Sequence, residues 1–182
     1  NLGADYTHYF YQPLEFTTVG VNLIELPAAR PMQHADEASL SFDLRHDISS
    51  WLAYHVGLHS SIFSHTGIFG GIDPRISFIF TPSEGHEISL HGGCYSQYFH
   101  KAGLTGGGLP TDFFLLADTT FIPERAIATN LRYSANFLDG KFSLQAEAYF
   151  NQLYGIVESR GNILQLVNQG FDYEKYLITG KG

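Results

Sequence analysis

Between residues 37 and 48 the chain alternates apolar and polar positions almost without interruption. Ala38, Leu40, Phe42, Leu44 and Ile48 take even positions; Glu37, Ser39, Ser41, Asp43, Arg45 and Asp47 take odd ones. Successive side chains of a strand point to opposite faces, so this segment has one apolar face and one charged or hydroxylated face. The rhythm returns over 51–63, where Leu52, Tyr54, Val56, Leu58 and Ile62 oppose Trp51, His55, Gly57 and His59. It returns over 74–81, with Ile76, Phe78 and Phe80 against Arg75 and Ser77, and over 86–100, with Ile88, Leu90 and Cys94 against Glu87, Ser89, His91, Tyr95 and Gln97. Residues 121–138 set Ile127, Leu131, Tyr133 and Phe137 against Asn130, Arg132, Ser134 and Asn136. Residues 141–154 set Phe142, Leu144, Ala146, Ala148 and Phe150 against Lys141, Ser143, Gln145, Glu147 and Asn151. Further strands are expected over 15–26 and 171–179, while residues 1–14 read as aromatic and irregular, for a total of about eight strands. No segment sustains a 3.6-residue period with caps, so no helix is expected.

The connections alternate. Ser49-Ser50, Pro82 to Gly85 and Asp139-Gly140 are tight turns, the last being the strongest hairpin signal in the chain. Between them lie longer stretches near 27–36, 64–73, 101–120 and 155–170. Short turns on one side and long loops on the other are the layout of a transmembrane β-barrel. The expected fold is therefore all-β: an antiparallel up-and-down meander of about eight strands, one segment over residues 1–182, forming part of a barrel wall. The competing fold is a soluble β-sandwich or small barrel that binds a carbohydrate or another protein. It predicts Leu40, Phe42, Leu44, Phe78 and Phe80 buried against a second sheet; the membrane reading predicts them facing outward.

Composition favours the membrane side. Charged residues are 15% of the 182, against roughly 25% in an ordinary soluble domain. The polar faces carry Ser, Asn, Gln, Tyr and His with few lysines, as a wet interior would. The mean hydropathy of −0.06 fits an apolar outer set averaged with a polar inner one. No apolar run approaches the ~20 residues of a helical span, but a barrel strand needs only ~10 residues of weak alternation. The net charge of −8, with 10 Lys and Arg and no basic run, argues against nucleic acid as a partner. A single cysteine, Cys94, excludes an intrachain disulfide framework and a cysteine-based zinc knuckle. No cofactor motif is present: Gly106-Gly107-Gly108 lacks the Lys-Ser/Thr of a phosphate-binding loop and lies between strands.

From about residue 71 to 155 the order of motifs is more specific. Pro74-Arg75 opens a strand, Tyr95-Ser96-Gln97 ends one, Pro123-Glu124 opens another, and Tyr149-Phe150 precedes Gln152-Leu153. This succession resembles the barrel of TonB-dependent outer-membrane receptors, especially those of Bacteroidetes, with Tyr-Phe where the family has a tyrosine pair. The resemblance implies an outer-membrane location, contact with outer-membrane lipid, and nutrient uptake driven by the TonB energy-coupling complex through a plug. Family barrels have about 22 strands around such a plug. This chain is shorter, shows no plug-like segment, and ends in Thr-Gly-Lys-Gly rather than in an aromatic terminal strand. It is therefore expected to be a piece of a barrel wall, with no covalent chemistry. As an isolated piece, with two open edges and an apolar outer face, it is expected to self-associate.

The candidates for contact with an unknown nutrient are the polar-face residues Asp43, Arg45, Asp47, His55, His59, Arg75, Gln97, Arg132, Glu147 and Asn151. The bland role for the charged ones is cross-strand pairing within the wall. His55 and His59 share a face about 13 Å apart, too far to hold one metal ion, and His86 and His91 fall on opposite faces, so no metal site is expected. Loop residues such as Glu158 and Arg160 become candidates only because long loops carry function on barrels. Trp51, Tyr54, Phe137 and Phe142 lie beside the tight turns and are expected to form an aromatic girdle if those turns meet a membrane surface.

Overall fold

A computed structural model of the chain describes residues 1–12, 31–104, 111–138, 140–159 and 177–182. Every regular element in it is a strand: β1 (Leu2–Tyr11), β2 (Gln33–Ser49), β3 (Leu52–Ser64), β4 (Ile68–Ser83), β5 (His86–Gln97), β6 (Phe99–Leu104), β7 (Thr111–Leu116), β8 (Glu124–Phe137), β9 (Phe142–Ser159) and β10 (Leu177–Lys181). Eight of them form one antiparallel meander in the order β1-β2-β3-β4-β5-β8-β9-β10, and β6 and β7 form a separate two-stranded hairpin. The sheet is open, with β1 and β10 at its two edges.

The register carries the alternation from strand to strand. Directly opposed residues share a face, and one row across the sheet runs His46, Tyr54, Phe78, Leu90, Leu131, Ala148. A neighbouring row runs Leu44, Val56, Ile76, Gly92, Thr129, Phe150. The β1–β2 pairing adds Leu2 opposite Phe42 and Ala4 opposite Leu40. This face is apolar from edge to edge. Its large side chains are uncovered: Leu40 is 66% exposed, Ile72 72% and Phe150 63%, and Phe42, Leu44 and Phe78 are also exposed. Among the described residues no second sheet lies against it.

The opposite face is polar along the whole meander, except at the end where the longer connections lie. There the β6–β7 hairpin lies on it. Phe63 and Ala35 of the polar face pack against Tyr98, Leu116 and Ala117, with Tyr9, Tyr11, Phe69 and Phe99 around them. Phe63 has no exposed surface and stacks on Tyr98 with ring centroids 4.8 Å apart, nearly parallel. Tyr11 at the end of β1 donates its hydroxyl hydrogen to the Phe114 carbonyl oxygen of β7. Each large side chain buried here is worth roughly 1.5–3 kcal/mol, which makes the hairpin a stable cover.

Four expectations from the sequence need correcting. Residues 1–14 are not irregular, because Leu2–Tyr11 is an edge strand. Aromatic residues on both of its faces, Tyr6 and Phe10 on one and Tyr9 and Tyr11 on the other, mask the two-residue period. The Gly-rich stretch 64–73 is not a loop, because β4 begins at Ile68 and the connection shrinks to three residues. Gly71 serves close approach: a Cβ there would lie 2.8 Å from the Tyr98 hydroxyl and 2.9 Å from those of Ser61 and Ser96. The stretch 101–120 contains most of the β6–β7 hairpin, and β9 runs on to Ser159 rather than ending at 154. The strand expected over 15–26 lies outside the described residues, as do Gly106 to Gly108, Asp139, Arg160 and the first part of 171–179.

The tight turns follow their sequence signals. Gly85 and Gly140 have φ of 78° and 81°, in the left-handed region that glycine enters without strain. At Gly85 the geometry also excludes a side chain, since a Cβ would lie 2.8 Å from the Asn136 carbonyl oxygen. The ends of the sheet therefore differ. Connections at 50–51, 84–85 and 138–141 are tight; at the other end those at 12–32, 98–123 and 160–176 are long and that at 65–67 is short.

Candidate functional site on the polar face

The polar residues singled out from the sequence belong to the same face, and the register orders them. One row runs Arg45, His55, Ser77, His91, Asn130, Tyr149. The next runs Asp43, Gly57, Arg75, Gly93, Ala128, Asn151. Neighbouring strands are about 4.8 Å apart, so the ends of a six-residue row are about 24 Å apart. The candidates thus separate into two patches.

The first patch, on β2 and β3, is a self-paired charge ladder. His55 Nε2 lies 3.2 Å from Asp43 Oδ1, and Arg45 Nε lies 3.5 Å from Asp47 Oδ1. Asp43 has room to reach across because Gly57 opposes it; a Cβ there would meet its carboxylate at 2.8 Å. These half-exposed or exposed pairs fit the structural role of wall charges. His59 stands opposite Ser41 and Asp73, away from His55. No group of three or more metal-ligating side chains exists among the described residues.

The second patch spans β4, β5, β8 and β9. Here Gly92, Ala128 and Thr129 leave a shallow floor, and His91, Asn130, Glu147, Tyr149, Asn151 and Tyr95 stand around it. The depression has a volume of about 330 Å³. Its polar groups are partly organised: Asn130 Nδ2 donates to Glu147 Oε1, and His91 Nδ1 lies 2.8 Å from the Ser77 hydroxyl. Both nearby guanidinium groups are engaged. Arg75 lies over the Tyr95 ring, 5.0 Å from its centroid, and Arg132 donates to the amide oxygen of Gln145. Tyr149, the end of its row, is 75% exposed. Gln97 does not join this patch, because its amide donates to the Phe99 carbonyl oxygen 2.6 Å away at the base of the hairpin.

Under the hairpin lies a buried polar network that was not apparent from the sequence. Asp73 is buried and accepts from the Ser96 N–H at 3.0 Å and from its hydroxyl at 2.8 Å. Its neighbour Pro74 stands inside β4 rather than opening it, just where the β4–β5 ladder gives out beyond Arg75 and Gly93. Proline has no N–H for a ladder, and the Asp73 carboxylate satisfies the facing strand instead. Ser61 Oγ and the Tyr98 hydroxyl are 2.7 Å apart. Burial raises the Tyr98 hydroxyl above its ordinary ionisation range, with the Glu37 and Asp73 charges adding to the effect and Ser61 and Arg125 opposing it. His100, with no exposed surface, has Nδ1 3.0 Å from Glu124 Oε1 and Nε2 3.2 Å from the Phe121 carbonyl oxygen. Only a paired histidine is tolerable at that depth.

On the apolar face, aromatic and histidine side chains collect at both ends. Beside the tight turns, Trp51 meets Phe80 edge-on at 5.5 Å, His46 meets Tyr54 at 5.6 Å, and His86 contacts the Tyr133 hydroxyl at 2.8 Å and the Phe137 ring at 5.5 Å. Phe137 and Phe142 stand opposite each other. At the other end His8 and Phe10 are 4.5 Å apart, Phe10 and His34 5.2 Å, and Asp36 Oδ1 is 2.6 Å from both the Tyr6 hydroxyl and His8 Nδ1. The first band includes all four residues expected of a girdle. The second has no signal in the sequence, because aromatics on both faces of β1 mask its two-residue period.

Comparison with known proteins adds no relative: no family model, no curated protein and no solved structure matches the chain.

Proposed function

We propose that this chain is part of the wall of an outer-membrane β-barrel of the TonB-dependent receptor type, taking part in nutrient uptake. The observation that carries this reading is the uncovered apolar face, continuous from Leu2 on β1 to Phe150 on β9, backed by a face that is polar along the same strands. A soluble sheet leaves such a face bare only at the cost of aggregation, whereas lipid covers it without a protein partner. The two aromatic bands support the same reading. Asp36 and His46 stand ten residues apart on β2. That is roughly 33 Å along a strand and roughly 25 Å along a membrane normal at a tilt of 35–45°, the height of an outer-membrane apolar band. Three tight turns at one end, against three long connections and the short 65–67 connection at the other, suit the two sides of such a membrane. The receptor type rests on the order of Pro74-Arg75, Tyr95-Ser96-Gln97, Pro123-Glu124 and Tyr149-Phe150. Gln97 ends β5 and Glu124 begins β8, in keeping with that order, whereas Pro74-Arg75 lies inside β4 rather than at its start.

In this scheme the apolar face meets lipid, the polar face lines the lumen, and the β6–β7 hairpin folds inward over the lumen wall. The nutrient is taken up by coupling to the inner-membrane energy source through a plug, and the wall performs no bond chemistry. The deciding experiment places nitroxide labels singly at positions 40, 42 and 44 and at 41 and 43 in protein inserted into lipid vesicles. Oxygen access at the even positions with polar-reagent access at the odd ones is the expected outcome. Protection of the even positions from both reagents would replace the barrel with a soluble binding domain.

A further inference from the structure

The apolar face ends in two cations. Among the described residues, Arg125 and Lys181 are the only arginine and lysine on it, and both lie at the end with the long connections. Arg125 is two residues from Ile127 on β8 and so shares its face. The register sets Arg125 opposite Tyr154 and Tyr154 opposite Lys181, so the three form one row with the aromatic ring in the middle. The Lys181 ammonium lies over that ring, 5.4 Å from its centroid. On its other side Arg125 reaches across the space that β5 leaves as the chain turns into the hairpin, and its Nη2 donates to the Gly70 carbonyl oxygen at 3.1 Å. That bond uses one of the five guanidinium N–H donors. Among the described residues neither cation has a carboxylate partner.

We propose that this row holds the phosphate monoester of a membrane lipid headgroup. Arg125 and Lys181 stand two strand spacings apart, about 10 Å at the backbone, which two long side chains close around a single phosphate. The guanidinium can take two phosphate oxygens side by side, and the ammonium supplies a point charge. Two cations match the nearly two negative charges of a monoester at neutral pH, where a diester carries one. A depression of about 440 Å³ opens beside Arg125, with Ile68, Ile122 and Tyr154 in its lining. Ile68 is 78% exposed and Ile122 56%, so the site offers apolar surface to the acyl chains below the phosphate, which a soluble anion lacks. The level along the strands is also right. Gly70 stands opposite Ile62 and Ile62 opposite Ala38, two residues from Asp36 of the second aromatic band. This inference rests on the barrel reading, which puts that band among the lipid headgroups.

The test uses the full chain in dioleoylphosphatidylcholine vesicles with a trace of one chain-spin-labelled lipid: phosphatidic acid, phosphatidylglycerol or phosphatidylcholine. The fraction of label slowed at the protein surface gives the relative affinity for each headgroup. Phosphatidic acid, the monoester, is expected to be preferred over both others. Arg125→Gln and Lys181→Gln should each weaken that preference about fivefold, the worth of one cation near a charged lipid surface. Arg125→Lys should keep most of it. Lys141→Gln, in the turn at the opposite end of the sheet, should keep all of it. The nitroxide pattern at 40–44 checks that each variant retains the sheet. Equal affinity for phosphatidic acid and phosphatidylcholine, equal affinity for phosphatidic acid and phosphatidylglycerol, or the same loss in Lys141→Gln as in Arg125→Gln would each overturn the site. Displacement of the labelled phosphatidic acid by an excess of inorganic phosphate would overturn it too, making the row a site for a soluble anion. Failure of the nitroxide pattern in the unaltered chain, with the headgroup preference still dependent on Arg125 and Lys181, would overturn the barrel and leave the phosphate site standing.

Discussion

Phe63 and Leu40 lie on adjacent strands of one sheet and meet opposite fates. Phe63, on the polar face, has no exposed surface because the β6–β7 hairpin and Tyr98 close over it. Leu40, on the apolar face, is 66% exposed with nothing over it. A chain that folds in water spends its covering elements on its most apolar surface. Here the only hairpin outside the meander, among the described residues, covers the polar face, and the apolar face is left uncovered. The side the protein chooses to cover is stronger evidence about its solvent than the hydrophobicity of either face.

The largest effect expected is on the covered side. Phe63→Ala removes the centre of the hairpin's seat, and truncation of a buried Phe costs about 3–5 kcal/mol. Amides of β6 and β7 should lose most of their protection from hydrogen exchange, while labels at 40–44 keep their oxygen access. If the labels changed as well, the two faces would not be independent and the comparison would fail. Next in size is the bare side. Phe42→Arg, in the middle of the apolar face, should cost about 2–4 kcal/mol of stability in lipid and little in the absence of lipid. Ser41→Arg, one residue away and on the polar face, should be close to neutral. Equal penalties for the two, measured by urea unfolding in vesicles, would erase the distinction between the faces.

A smaller effect sharpens how the hairpin is held. Glu124→Ala leaves His100 Nδ1 without its partner at a site with no exposed surface, and an orphaned buried polar group costs about 1–3 kcal/mol. Proteolysis within 98–123 should accelerate in this variant, and His100→Phe in the same background should recover part of the loss. Cleavage at the unaltered rate would mean that the apolar seat alone holds the hairpin.

Much of this comparison was legible from the sequence, for an identifiable reason. Where one face is uniformly apolar and the other uniformly polar, as from Ala38 to Ile48, the two-residue period fixes strand, register and face at once. Gly85 and Gly140 mark tight turns because glycine supplies the positive φ they need. The period fails where both faces carry aromatics, as along β1, and where glycines stand in a strand, as at Gly70 and Gly71, the latter for close approach, which makes the start of β4 resemble a loop. The hairpin at 99–116 was missed because its apolar residues serve a tertiary seat. Phe99 and Leu116 have no periodic meaning until Phe63 and Ala35 are brought beneath them. The candidate site divides along the same line. Asp43, Arg45 and Asp47 were readable as wall charges from their spacing, but Arg45 pairs with Asp47 along β2 rather than across strands, and the Asp43–His55 pair joins β2 to β3, which spacing does not give. The grouping of Tyr149 with Asn130 and His91 depends on pairing across three strands, and spacing within one strand carries no such information.

The finest probe of the covered side is the ionisation of Tyr98. Burial holds its hydroxyl protonated beyond the ordinary tyrosine value of about 10. Above that pH an unfolded or undocked Tyr98 releases its proton while the docked one retains it. The undocked state then binds fewer protons, and the stability of the docked hairpin must fall as pH rises. The contribution is complete below pH about 10 and disappears as pH passes the value for the docked residue. Difference titration of tyrosinate absorbance between the unaltered chain and Tyr98→Phe should show this residue ionising late, together with loss of exchange protection in β6 and β7. The variant should lose that part of the pH dependence and, having removed the partner of Ser61 Oγ, be weaker by about 1 kcal/mol at neutral pH. An ordinary titration of Tyr98 with the hairpin protected throughout would show that the hydroxyl reaches water, and that the cover over the polar face is looser than the packing of Phe63 beneath it requires.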